Sequence, residues 1–388
     1  MKSKFNGIWL LLIGIGLALN GLLIIYRIEL ADRLDADPVA TSRINFDMAR
    51  TEEFAFFTDE INYYNFVPSR SIYDEVTSRV SMFFSQGVLV NINSYGYYVK
   101  FVRDLTNSWK GLLFLAGVLS YILFSIELMK ILSHATSNNL MVFLSIILSP
   151  IVLQLSAGWM RDLFVMWGIL LSIKSAYEKR LILWCLSILV LLLLRAYTIP
   201  IALVGSLLFF GSVGGSTKKR VLMAVAFLST FLSVFLLLFS EQIGLALLTE
   251  KILPRLIQNF TGLTYGFIRG YDIPSLKGNL ADTEVLGYYF IIISYAVFYL
   301  SLFRRRKTLQ ANVDAKRWLI FTVFTGIYIV VLHSASIGFF VNRIIMITWV
   351  PAMITLAKLY DPATSIKSLL STNGQTSLVN SGSLPTYE

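Results

Sequence analysis

The sequence predicts an all-α fold, a polytopic transmembrane helical bundle of about ten spans. Three observations carry that reading. Of 388 residues, 56% are hydrophobic and 14% charged, with a mean hydropathy of +0.69, whereas soluble domains carry about 25% charge. Apolar runs of roughly 18–22 residues recur along the chain, enough to cross a bilayer as helix. Short alternating strands between turns, the mark of an outer-membrane barrel, do not occur.

The expected spans, in order, are about 8–26, 111–131, 140–156, 162–177, 179–195, 198–214, 221–240, 284–303, 318–336 and 340–359. The first follows Met1-Lys2-Ser3-Lys4. It is too long for a signal-peptide core and no small-residue cleavage site follows, so it reads as a retained anchor. Basic residues fall on alternate loops: Lys2 and Lys4, Lys130, Lys174/Lys179/Arg180, Lys218/Lys219/Arg220 and Arg304/Arg305/Arg306/Lys307. Under the positive-inside rule these clusters place both termini in the cytoplasm, N-in and C-in. The net charge of +10 then belongs to the cytoplasmic rim against anionic membrane lipid and implies no nucleic acid partner.

Residues 1–360 read as a single membrane-embedded domain, with outer loops at about 27–110 and 241–283. The first loop groups Phe46, Phe54, Phe56, Phe57, Tyr63, Tyr64 and Phe66, which offer either sugar-stacking faces or interfacial anchors. Within it Ile72, Val76, Val80, Phe84 and Val88 recur every fourth residue, the pattern of an amphipathic helix lying on the membrane. Loops this large suit an enzyme working at the outer face better than a transporter, and no internal repeat supports an inverted-repeat transporter. Residues 361–388, rich in Ser, Thr, Asn and Gly, read as a disordered cytoplasmic tail.

One cysteine, Cys185, and two histidines, His134 and His333, leave no material for a disulfide framework or a Cys/His metal cluster. Cys185, in mid-span, is expected to be a packing residue. No nucleotide-cradling glycine motif occurs, and no metal or cofactor is expected.

The chemistry is carried by arginine. Arg161, Arg195, Arg255, Arg269 and Arg343 all fall on the side that the lysine clusters avoid. Two crossings need about 40 residues, and Asn138 to Tyr177 supplies hardly more, so Arg161 must sit at or below the outer surface. Arg195-Ala196-Tyr197-Thr198-Ile199-Pro200 repeats the arrangement, with Pro200 placed to open the next helix. An arginine at that depth costs at least about 2.5 kcal/mol unless paired or facing water. Three readings stand: Asp162 pairs with Arg161, Arg195 snorkels to the interface, or the arginines line a cavity for a phosphate-bearing headgroup. His333, ahead of Ser334-Ala335-Ser336, ends a span at the same mouth that Arg343 reaches. An imidazole there is either a hydrogen-bonded core group or a general base suited to neutral pH.

Met160-Arg161-Asp162 before an apolar span ending in Lys174, the later Leu194-Arg195-Ala196-Tyr197, the large outer loop and the span number together resemble the bacterial repeat-unit polymerases of O-antigen and capsule synthesis (Wzy type, EpsG-like). The family also carries an Arg-x10-Gly pattern in two outer loops; Arg255 and Gly266 have that spacing here once, as chance alone would give, and the match does not count toward the resemblance. The resemblance implies a polytopic enzyme of the bacterial inner (plasma) membrane whose active site faces the periplasm. Its substrate would be an undecaprenyl-diphosphate-linked oligosaccharide, and a chain-length regulator is a candidate partner. It would transfer the growing glycan from the lipid diphosphate to the next repeat unit, without metal or other cofactor. Arg161, Arg195, Asp162 and His333 are then the candidate catalytic residues. The arginines would face the diphosphate, and Asp162 or His333 would serve as base. Arg255, Arg269, Arg343 and Tyr197 would bind substrate.

Three rivals share this topology. A transferase using a single-sugar polyprenyl-phosphate donor would work through an acidic pair such as Glu29/Asp32 or Asp59/Glu60. An O-antigen ligase would use outer-face Arg and His. A flippase for the same lipid-linked unit would place its charges at mid-membrane depth.

Overall fold

The computed structural model describes residues 7–33, 94–107, 109–132, 137–210, 282–336 and 342–360, with Tyr63, a few positions between 71 and 81, and Pro254. The expected span at 221–240, the tail, Arg255, Arg269 and most of both outer loops lie outside the described residues. Among the described residues every regular element is helical. Two helices are long and apolar enough to cross a membrane by length and composition, or three if one bent pair is a single span.

Helix α1 is Gly7–Arg33, longer at its end than the expected 8–26. Its buried positions, Trp9, Ile13, Asn20, Ile24 and Arg27, recur at helical spacing and define one inward stripe. The rest of its surface is large and apolar, with Ile8, Leu11, Ile15, Leu22 and Ile25 exposed. Helix α2, Ser94–Thr106, lies in the stretch expected as the first outer loop, where the sequence pattern had marked only the 72–88 segment. The described positions 73–75, 77–78 and 81 of that segment are also helical. Helix α3, Trp109–Leu112, passes through a π-helical turn, Leu113–Val118, into α4, Leu119–Leu132.

The run expected as one span at 140–156 is two helices, α5 (Ser137–Ile147) and α6 (Pro150–Ser156), bent by 51°. Pro150 causes the break, because it lacks an N–H and its ring crowds the preceding turn. Ser149 caps the new helix by accepting from the Val152 N–H at 3.3 Å.

Helix α7, Asp162–Tyr177, is buried along almost its whole length. It packs against α4, α8 (Leu181–Arg195) and α9 (Ile199–Phe209), with a 3-10 turn, Ala196–Thr198, between the last two. Pro200 does open α9. Further along come α10 (Asp282–Arg304), α11 (Arg306–Ala311), α12 (Val313–Ser336) and α13 (Asn342–Leu359). Helix α13 packs on α12, α10 and α5.

Cys185 is exposed on the outer surface of α8, a correction to its expected packing role. The buried face of α8 is carried instead by Ser187, Leu191 and Arg195, four residues apart, so Cys185 is turned away from it.

Several of the basic clusters meet at one end of the bundle. Lys130 and Lys174 lie 3.2 and 3.5 Å from the buried carboxylate of Glu127. Lys358 donates to Ile131 O at 3.2 Å, and Asn138 to Tyr360 O at 2.8 Å. Arg305 stacks over the Tyr360 ring at 4.4 Å. Asp162 and Glu178 bracket α7, sixteen residues apart, which puts the opposite end about 24 Å away.

Candidate functional site

At that opposite end, the link between α6 and α7 is held by backbone-to-backbone packing. Gly117, in the π turn, lies so close to it that a Cβ would meet Ser156 O at 2.2 Å and Gly158 O at 2.5 Å. No side chain can be accommodated there, and π turns of this kind are commonly kept at functional positions. Leu115 O, in the same turn, accepts from Tyr98 Oη at 2.5 Å, which ties α2 to the bundle.

Three arginines converge on this link. Arg27, from the inward stripe of α1 and fully buried, donates from Nη1 to Ala157 O at 2.7 Å and stacks over Trp159 at 4.7 Å. Arg161 donates from Nη1 to Leu194 O at 2.9 Å. Arg195 Nη2 lies 2.9 Å from Asp162 Oδ1, with both side chains 3% exposed. Residues 161–162 and 194–195 thus form a reciprocal clasp between the start of α7 and the end of α8. Helix dipoles favour each partner: Asp162 sits in the first turn of α7, while both guanidinium groups lie at the C-terminal end of α8.

The clasp bears on two of the three readings open at the sequence level. Asp162 pairs with Arg195, not with its neighbour Arg161. Arg195 does not snorkel, because its guanidinium is buried and engaged.

Aromatic residues close the site. Tyr63, from the stretch expected as the first outer loop, lies 5.6 Å from the Arg161 guanidinium and edge-on to Tyr95 of α2 at 5.0 Å. Tyr95 in turn leads to Tyr98 and Phe164. Tyr197 lies 5.8 Å from the Arg195 guanidinium, and Tyr197 O accepts from Tyr328 Oη at 2.8 Å. That bond brings α12 to the site. His333 follows Tyr328 by five residues, about 7.5 Å further along the helix. The side chains of His333, and of Arg343 at the start of α13, lie outside the described residues, as do Arg255 and Arg269 entirely.

Arg27, Arg161, Arg195 and Asp162 sum to a formal charge of +2 (three cations less one anion). Burial, and then the neighbouring Arg195, disfavour the charge on Arg161, while Tyr63, Asp162 and Tyr197 favour it. Burial also pushes the Tyr95 phenol well above its ordinary range, with Tyr98, Tyr63 and Asp162 adding to the effect and Arg161 opposing it. Tyr95 is therefore a neutral hydrogen-bond donor at any physiological pH. Arg161 Nε, Asp162 Oδ2 and Tyr95 Oη, all buried at this site, have no hydrogen-bond partner. Buried polar atoms are normally satisfied, and each exception calls for an explanation, a water or a ligand among them. Among the described residues no group of three or more His, Cys, Asp or Glu side chains stands together to hold a metal. The donors instead suit an oxyanion.

Of the residues singled out from sequence, Arg161, Arg195, Asp162 and Tyr197 are brought together. Arg27, Tyr95 and Tyr98 were not singled out. The signal for Arg27 was present: it continues the inward spacing of Trp9, Ile13, Asn20 and Ile24. Tyr95 had no comparable signal, because its role depends on α2 folding back onto α7 and α8. No family model, no curated protein and no solved structure matches this chain.

Proposed function

We propose that this chain is a membrane glycosyltransferase that polymerises lipid-linked oligosaccharide repeat units at the outer face of the bacterial inner membrane. The convergence of Arg27, Arg161 and Arg195 at the end of the bundle opposite the lysines carries the reading. A polytopic arrangement of about ten spans, N-in and C-in, is part of it. The polar residues on the inward stripe of α1 and the large apolar residues on its outward face reverse the water-soluble pattern, as expected for helices solvated by lipid. With the lysine-rich end in the cytoplasm, the arginine site lies on the side of the leaflet that carries flipped lipid-linked glycans.

The reaction moves a growing glycan from one polyprenyl diphosphate to the next repeat unit. A hydroxyl oxygen of the incoming unit attacks the anomeric carbon. The bond from that carbon to the diphosphate oxygen breaks, and the lipid diphosphate leaves with the electron pair. Negative charge grows on the leaving group, and preorganised guanidinium groups in a buried site stabilise that charge more than they stabilise the ground state. Arg161 is the candidate for direct contact, since its Nε remains without a partner. Asp162 is engaged through Oδ1 in orienting Arg195, which leaves His333, on the helix that Tyr328 anchors, as the candidate to take the proton from the attacking hydroxyl.

Deletion of the gene in its own strain, followed by electrophoresis of the surface glycolipid, tests the reading. Lipid core carrying a single repeat unit is expected, because assembly, flipping and ligation would survive. Core without any repeat unit would instead indicate a flippase, a ligase or an upstream transferase. In the complemented strain, Arg161→Ala should lose polymer at normal protein levels, and Arg161→Lys should recover only part of it. Normal polymer from Arg161→Ala would remove Arg161 from the chemistry.

A further inference from the structure

The link between α6 and α7 lies deep in the protein. Ala157, Trp159 and Met160 are buried, whereas connections normally run over the surface, where water satisfies their backbone. Ala157 closes α6, and carbonyls at a helix end lack an intrahelical donor. Arg27 Nη1 donates to Ala157 O at 2.7 Å, a cation at the negative end of the helix dipole. The same guanidinium lies over the Trp159 ring, 4.7 Å from its centroid. One side chain of α1 therefore holds two points of the link, four and two residues before Arg161. The π turn packs against the same link, since a Cβ on Gly117 would lie 2.5 Å from Gly158 O.

The three arginines differ in what they present. Arg161 alone is partly exposed, while Arg27 is fully buried and Arg195 is 3% exposed. We propose that Arg27 is a positioning residue for Arg161. It fixes the link from which Arg161 emerges, and Arg161 is anchored again at its far end on Leu194 O at 2.9 Å. Arg161 then meets the diphosphate in one orientation, and Arg27 acts through it without touching the diphosphate. The proposal rests on the glycosyltransferase reading and adds to it the residue that sets the geometry of the phosphate-binding arginine. A guanidinium suits the task because it donates in its plane and stacks on its face at once, which an ammonium does not. Misplacing a reacting group by about 1 Å can cost roughly 100-fold in rate, so a buried support for Arg161 has a direct catalytic consequence.

The test is a double-mutant cycle on the full-length protein in detergent, with farnesyl diphosphate as probe and inorganic pyrophosphate as lipid-free control. Affinities are measured by titration calorimetry well below each variant's thermal midpoint, so that only folded protein is titrated. Arg27→Lys keeps the charge and loses the planar stack, so its effect reports geometry rather than field. Arg161→Ala should weaken farnesyl diphosphate roughly ten-fold or more, the range for a charge-assisted hydrogen bond. Arg27→Lys should weaken it roughly two- to thirty-fold, the range for a residue that acts on a ligand without contact, and should add nothing once Arg161 is alanine. Trp159→Leu removes the stacking face from the other side and should reproduce that dependence on Arg161, which keeps the test decisive if Arg27→Lys does not fold. Weakening of the same size in both backgrounds would mean that Arg27 acts on the anion independently of Arg161. Wild-type affinity with a lowered thermal midpoint would mean that the contact serves folding alone. Either result would overturn the positioning role and leave the glycosyltransferase reading standing. A wild type that fails to bind farnesyl diphosphate, or binds pyrophosphate equally well, would overturn the lipid-linked substrate and the proposal that rests on it.

Discussion

Replacing Arg195 by alanine removes the partner of a carboxylate that is 3% exposed and held at 2.9 Å. Asp162 would then be a buried anion without its cation, and breaking such a pair from one side costs about 3–5 kcal/mol. Asp162→Ala removes the carboxylate that Arg195 faces at 2.9 Å and should cost a similar amount. The double variant leaves neither group facing its missing partner, so it should be less destabilised than the sum of the singles by about 0.5–3 kcal/mol, the range for directly contacting residues. Arg161→Ala is the comparison. It loses one charge-assisted bond to Leu194 O, worth about 1.5–3 kcal/mol, and leaves no charge without its ion-pair partner. The assay is a double-mutant cycle on unfolding free energies in detergent, with chromatographic recovery as a check on folding. Additivity of the two single variants to within about 0.5 kcal/mol would refute the pairing. An Arg161→Ala variant less stable than Arg195→Ala would refute the assignment of Arg195, not Arg161, as the structural partner of Asp162.

Three further variants probe the scaffold beneath the site. Gly117→Ala drives a Cβ onto two backbone carbonyls at 2.2 and 2.5 Å; backbone yields less readily than a side chain, so the loss should reach or exceed the about 1–3 kcal/mol usual for overpacking, visible as a lowered thermal midpoint. Asn20 is fully buried with neither amide atom hydrogen-bonded, so Asn20→Val should raise stability by about 1–3 kcal/mol, and a fall would show that the amide has a partner. Lys179 ends α7 with φ 58° in a Schellman arrangement, with Arg180 N–H on Ser175 O at 2.8 Å and Lys179 N–H on Ala176 O at 3.3 Å. Glycine is the residue this position favours, so Lys179→Gly should stabilise by about 0.5–1 kcal/mol, and destabilisation would mean that the lysine side chain contributes more than the backbone strain costs.

The helices were largely legible because each long apolar run had no alternative to helix. The expected runs at 111–131, 162–177 and 284–303 fall on helices at 109–132, 162–177 and 282–304. The bend at Pro150 was legible in principle from the proline alone, but hydropathy averages across it and so reports one span. Cys185 was misplaced for a related reason: in an all-apolar helix such as α8, composition does not mark which face turns inward. The polar residues do mark it, since Ser187 and Arg195 carry the buried face.

Composition and charge patterning determined that the chain is helical and that Arg161 and Arg195 fall away from the lysine clusters, because both follow from lengths and charges counted along one dimension. Only the tertiary structure decided that Asp162 belongs to Arg195, that Arg161 caps α8, that Arg27 reaches Ala157 across 130 positions, and that Tyr95 stands beside them. Those pairings depend on which helix ends meet and at what depth. Depth is set by side-chain packing and by close backbone contacts such as that at Gly117, which no spacing along the chain records.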